Sequence, residues 1–324
     1  MKKGMKLGLI LLLISLLLSG CKTADNKVVT IGVLQWAKHP ALDATVTGMS
    51  DFLKEQGFDE SKVNIVVKIA GGDAPTAALI AEQFVSDKVD MIYAIATPAA
   101  QAAYNAVSGT KIPVVFNAVT DAVSAGIVTS NEKPGGQVTG VSDAAPLNLQ
   151  VKLIRDFLPT AKKIGMLYNL GEVNGKIQVD QVKALAVSLG FEVIAIGVSA
   201  TTEISAAAQQ LASQVDCIYN ITDNMIAGAT ATITDKANAK NIPVFGAEDG
   251  QMAQGLLASD GLSYAKLGKQ AGVIVVNILF KDKKPADIAV ETATETTLKI
   301  SKNVAAKLNI KIPDALLARA TMLD

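Results

Sequence analysis

Two ten-residue words constrain this chain more than anything else in it: VDMIYAIATP, starting at Val89, and VDCIYNITDN, starting at Val215. In each, an apolar run reads as a buried strand, and a polar residue beside a helix-starting signal follows at once. Their surroundings repeat as well. A helical stripe of Leu42, Val46, Met49 and Leu53 stops at Gly57-Phe58, and one of Val182, Leu185, Ala186 and Leu189 stops at Gly190-Phe191. KIPVVFNAV from Lys111 is then echoed by NIPVFGAED from Asn241. Three matches in one order predict two similar halves, each alternating short apolar strands with amphipathic helices. That alternation is what a parallel sheet with helices on both faces requires. The expected fold class is α/β, as two doubly wound parallel-sheet lobes with a ligand cleft between them.

The repeated junction suggests where chemistry would sit, because open α/β sheets bind ligands outside the carboxyl ends of their strands. Thr97 falls there in the first half, and Asp223 is its counterpart in the second. Facing lobes would set a hydroxyl and the free N–H groups of a helix start, at residues 99–101, against a carboxylate. Such a pair suits a zwitterion, with its carboxylate at the helix N-terminus and its ammonium at Asp223. The competing account is that Thr97 and Asp223 only cap helices, as threonine and aspartate routinely do.

The N-terminus has a different character. MKKGMK is basic and residues 7–18 are apolar, a run short of the roughly 20 residues that span a bilayer, so residues 1–20 read as a secretory signal. The run closes on LLSGC, which predicts that Cys21 is lipidated and anchors the chain, with residues 21–27 as a polar tether. The second cysteine, Cys217, lies in an apolar strand, so no internal disulfide is expected. Acidic and basic residues balance at 30 each, with three of the lysines in the leader. Nucleic-acid binding, which needs dense basic patches, is not expected.

Catalytic signatures are also missing. His39 is the single histidine, so a histidine metal cluster is excluded, and it reads as a residue preceding a helix that starts at Pro40. GEVNGK at Gly171 is one spacer short of a phosphate loop and lacks its Ser or Thr, and GGQVTG at Gly135 does not fit a dinucleotide fingerprint. Neither an enzyme activity nor a cofactor or metal is expected.

Taken together, the lipobox, the two halves and the segments IGVLQWAKHPALD, IATPAAQ, TGVSD, TDN, YAKLGKQAG and KKPADI resemble the extracytoplasmic substrate-binding proteins of ABC importers. These have the type I periplasmic-binding fold, and the likeness is nearest to the tryptophan/tyrosine-binding branch. The resemblance implies a first lobe of residues 27–140 plus 261–292 and a second of 141–260 plus 293–324. It further implies an amino-acid ligand, an aromatic one above all, ABC permease subunits as partners, and a membrane position outside the cytoplasm through the lipid anchor. A sugar or other small polar ligand, or a ligand-sensing role beside a membrane signalling protein, is the alternative.

The remaining cleft candidates lie at the ends of the predicted strands. Gln35 and Trp36 follow the first, where Trp36 would stack on an aromatic ligand or fill the core. Asn117 and Thr120 follow the fourth, Ser142 and Asp143 lie at the first passage between lobes, and Asn169 ends GMLYN. Thr222 and Asn224 flank Asp223, and Glu248 matches the Asn117 region.

Overall fold

The computed structural model describes residues 28–293 and 295–324. The leader and Cys21 lie outside the described residues. The first sheet contains β1 (Val29–Gln35), β2 (Val63–Ile69), β3 (Met91–Ile95), β4 (Val114–Asn117) and β5 (Val138–Ser142), with the two-residue β11 (Glu291–Thr292) added beside β5. Their order is β2-β1-β3-β4-β5-β11, all parallel. The register aligns Gln35 with Ile95, Ile95 with Asn117 and Asn117 with Val141, so the strands end along one edge. That edge faces the second lobe.

The second sheet repeats the plan with β6 (Lys163–Asn169), β7 (Glu192–Val198), β8 (Cys217–Asn220), β9 (Val244–Glu248) and β10 (Ala258–Leu262), ordered β7-β6-β8-β9-β10. β12 (Thr297–Ser301) then joins β10 antiparallel, and β13 (Thr321–Leu323) pairs with β12. Successive side chains of a strand point to opposite faces. Accordingly Met166, Cys217, Tyr219 and Phe245 enter one buried cluster, while Leu167, Ile218 and Val244 enter another.

The chain passes between the sheets three times. β5 leads into α4 (Leu147–Phe157), which packs under the second sheet; β10 leads into α9 (Tyr264–Leu279), which returns to the first; β11 leads to β12. The stripe Leu267, Ala271, Val275 and Ile278 of α9 is buried there. The returning helix lies against α1 (Pro40–Glu55) at a distance only glycine permits. A Cβ on Gly48 would fall 2.1 Å from the Ala265 carbonyl, and one on Gly268 2.4 Å from that of Thr45. This close pairing fixes the start of α1, and hence His39, beside Tyr264.

A closed cavity between the lobes

Between the lobes lies a narrow, largely enclosed pocket, with about 280 Å³ of empty space that is partly open to solvent. The first lobe and the second crossing contribute His39, Ala41, Leu42, Ala118 and Tyr264; the first crossing and second lobe contribute Asp143, Asn174, Thr222, Asp223, Asn224, Ala227 and Glu248. Three carboxyl groups therefore meet in one void, and among the described residues lining it there is no lysine or arginine.

Each carboxyl is held by local structure. Asp223 caps α7 (Asn224–Gly228): its Oδ1 accepts the Ile226 N–H at 3.1 Å and its Oδ2 the Asn169 N–H at 2.7 Å. Gly175, at the start of α5 (Val173–Ser188), makes room for it, since a Cβ there would strike Oδ2 at 2.4 Å. Burial, reinforced by the Glu172 charge, pushes the Asp223 carboxyl up to about 7, against the pull of the backbone donors. Glu248 ends β9 and accepts the Gly250 N–H at 2.7 Å; burial pushes it up to about 7 as well, helped by Asp249 and Asp143. Asp143 accepts the Tyr264 hydroxyl at 2.6 Å and the Thr120 hydroxyl at 3.1 Å, and burial raises it above the usual carboxylate range.

Three other polar atoms of the lining have no hydrogen-bond partner in the protein: His39 Nε2, Asn174 Oδ1 and Thr222 Oγ1. Buried polar atoms are nearly always paired; of the eight unpaired side-chain atoms among the described residues, these three are the ones a guest in the void could satisfy. Burial holds the His39 imidazole below its ordinary pKa, against Asn224 and Asp43, so it faces the cavity neutral.

Asp143, Thr222, Asp223, Asn224 and Glu248 are thus brought to one wall, while the other seven candidates stand outside it. Gln35 donates to the Ala37 carbonyl at 2.7 Å and to Asp43 at 2.8 Å, which shapes the loop leading to α1. Asn117 donates to the Tyr93 hydroxyl at 2.7 Å, and its successor Ala118 takes the wall position. Thr120 and Ser142 line an outer cleft at the crossing, where the Ser142 hydroxyl donates to the Thr120 carbonyl at 3.1 Å. Thr97 is buried as the first residue of α3 (Thr97–Ala106), with Ala96 rather than Thr97 at the capping position and no side-chain cap. Trp36 and Asn169 line a separate open cleft with Glu172.

Sequence reading passed over Asn174, Tyr264 and Glu172, and took His39 for a helix-entry residue before Pro40 that could also line the cleft. Glu172 and Asn174 belong to the very GEVNGK segment weighed as a phosphate loop. Their signal was polarity shortly after a buried strand, in the second-lobe position that His39 and Ala41 occupy in the first.

Residues 30–323 match the family model for ABC transporter substrate binding proteins. A tyrosine-binding protein from Clostridioides difficile is 40% identical over 291 residues, covering 90% of this chain and 84% of its own. A crystallised ABC domain from Streptococcus pneumonia in complex with L-Trp is 36% identical, covering 92% of this chain and 100% of its own, with a TM-score of 0.88. A ligand-free, open structure of a substrate-binding protein with adhesive properties from Clostridium difficile is 38% identical, covering 92% and 99%, with a TM-score of 0.70. Identity and coverage hardly differ between these two structures, yet the likeness is higher to the L-Trp complex than to the ligand-free, open structure.

Proposed function

Because the chain belongs to the ABC transporter substrate-binding protein family, we propose that it is an extracytoplasmic receptor whose cavity binds a free aromatic amino acid, tyrosine or tryptophan, for delivery to ABC permease subunits. One observation carries the reading: three carboxyl groups and no lysine or arginine meet at an enclosed void, which calls for an ammonium group. An ammonium can replace the protons that Asp223 and Glu248 otherwise hold, and Asn174 Oδ1 offers it a neutral acceptor. The ligand carboxylate goes to the unpartnered donors, the Thr222 hydroxyl and His39 Nε2.

The shape of the lining points the same way. Ala41, Ala118 and Ala227 keep the walls thin, and Leu42 adds an apolar face on which a ring can lie. The family's curated and crystallised relatives bind tyrosine and L-Trp, which supports the aromatic choice.

Isothermal titration with the free amino acids, their methyl esters and their decarboxylated amines tests this. Tyrosine or tryptophan should bind, and masking the ammonium by N-acetylation should abolish binding. Tight binding of a neutral sugar, or of an N-acetyl amino acid, overturns the reading. We further place the membrane anchor on Cys21. Cys21→Ser should release the protein to the soluble fraction with ligand affinity unchanged, and full membrane retention of the variant refutes the anchor.

A further inference from the structure

Trp36 and Glu172 meet across the lobes, outside the enclosed cavity. The indole Nε1–H, the only polar group of that side chain, donates to Glu172 Oε1 at 3.3 Å. Trp36 follows β1 in the first lobe; Glu172 precedes α5 in the second. Both are buried, at 5% and 2% exposure.

The two sides of this contact are built differently. Glu172 is gripped by its own lobe whatever the other lobe does: Oε1 accepts from the Asn169 amide at 3.1 Å, and Oε2 from the Asn174 amide at 3.5 Å, the Asn224 N–H at 3.4 Å and the Asn224 side chain. Trp36 is the one donor among these that comes from the first lobe. Its backbone is fixed at both ends, with its N–H on the Ile95 carbonyl at 3.2 Å and its carbonyl accepting the Gly72 N–H at 2.8 Å. A rigid donor on one lobe thus meets a preformed acceptor on the other, and separating the lobes breaks this bond while the other donors to Glu172 stay in place. Neither residue lines the ligand cavity, although Asn224 belongs to both the cavity wall and the Glu172 cluster.

We propose that Trp36 and Glu172 form a closure latch: positioning residues that set how long the ligand stays enclosed without touching it. This rests on the binding-receptor reading above and adds to it a control on release. A contact made only in the closed state stabilises that state and so slows opening, which is the step that lets ligand out. Association begins from the open state, where the latch is unmade. The contact also accounts for the indole beyond its bulk, because phenylalanine would fill most of the same space without the N–H.

Trp36→Phe and Trp36→Ala in the intact chain separate the latch from a stacking role. With radiolabelled L-tyrosine and L-tryptophan as probes, Trp36→Phe should release ligand about tenfold faster, the scale of losing a hydrogen bond to a charged group. Its association rate should stay within about twofold, since association varies less than release among variants of one site, and its ligand-free melting temperature should match wild type. Trp36→Ala also empties a site in the first lobe's core, so it should lower the ligand-free melting temperature as well. If Trp36→Phe releases ligand like wild type and only Trp36→Ala fails, Trp36 acts as an apolar or stacking surface and the latch is wrong. Should wild type bind neither amino acid, the ligand reading fails by itself. Ligand-free solution scattering then decides the latch, since Trp36→Phe must shift the population toward the larger, open radius, and unchanged scattering overturns it.

Discussion

At the strand-to-helix junction of the first lobe, Ala96 takes φ 80° and ψ 155° before a helix that no side chain caps. At the matching junction of the second lobe, Asp223 takes φ −98° and ψ 127° and caps its helix with its own carboxylate. The two junctions share a backbone plan and an ancestral-looking word of sequence, yet their chemistry has separated. Acidic groups gather on the second lobe and at its crossing, as Asp143, Glu172, Asp223 and Glu248. The first lobe supplies neutral wall, as His39, Ala41, Leu42 and Ala118. A duplicated scaffold therefore offers its guest two unlike hands, one that seats a cation and one that closes over it. The strained Ala96 marks the side that carries no charge.

The largest test of this asymmetry is Asp223→Asn. The amide keeps the size but loses the charge, so a buried ammonium loses its counter-ion, at a cost of about 3–5 kcal/mol in affinity. Its NH₂ must also face either the Ile226 or the Asn169 N–H, donor against donor, which removes about 1–2 kcal/mol of stability. Titration and urea denaturation of the same preparation separate the two losses. Full affinity with reduced stability would make Asp223 a cap and nothing else.

Next in size is the pH dependence. Asp223 and Glu248 are held up to about 7 in the folded chain, above their ordinary values. The ligand-free fold thus keeps protons that the unfolded chain releases, so the stability from these groups is full at low pH and declines as pH rises through about 7. Ligand affinity must move the opposite way, because an ammonium needs the charged carboxylates. It should rise with pH up to about 7 and then level, by about 1.4 kcal/mol per pH unit for each proton released. Titrations between pH 5 and 8, in buffers of different ionisation enthalpy, count those protons. Glu248→Gln should flatten the slope, and an affinity independent of pH in wild type contradicts the exchange.

How much of this could be read beforehand follows from which signals are local. Strands, helices and the duplication were legible because apolar periodicity and residues such as Gly57 and Gly190, both at positive φ, act over a few neighbours. Thr222, Asp223, Asn224 and Glu248 were legible for a related reason: they stand at the carboxyl ends of predicted strands, where such sheets bind ligands. Tyr264 was not, since it reaches the cavity only when the chain returns to the first lobe and its helix is pressed onto α1 through Gly48 and Gly268. Glu172 and Asn174 carried no motif, and only the partners across the lobes give them meaning. Trp36 shows the same limit from the other side: its type suggested stacking or core filling, the structure buries it in the first lobe's core cluster, and its N–H geometry, which no sequence displays, directs it to Glu172.

The smallest expected effect tests the junctions themselves. Ala96 sits in a backbone region that is essentially reserved for glycine and costs other residues about 1–3 kcal/mol. Ala96→Gly releases that strain but loosens the unfolded chain by about 0.5–1 kcal/mol and gives up a buried methyl group worth about 0.8 kcal/mol. With strain at the upper end of that range, the balance is a gain of about 1–2 kcal/mol in stability. At the matching position of the second lobe, Thr222 is not among the residues with positive φ. Thr222→Gly therefore relieves nothing and should lower stability by about 1 kcal/mol through the same entropic term and the lost side chain. Urea midpoints at constant m-value read both variants. Opposite signs would show that the first lobe alone stores strain at its junction. If both substitutions destabilise equally, Ala96 is not strained, and the asymmetry of the lobes lies in charge alone.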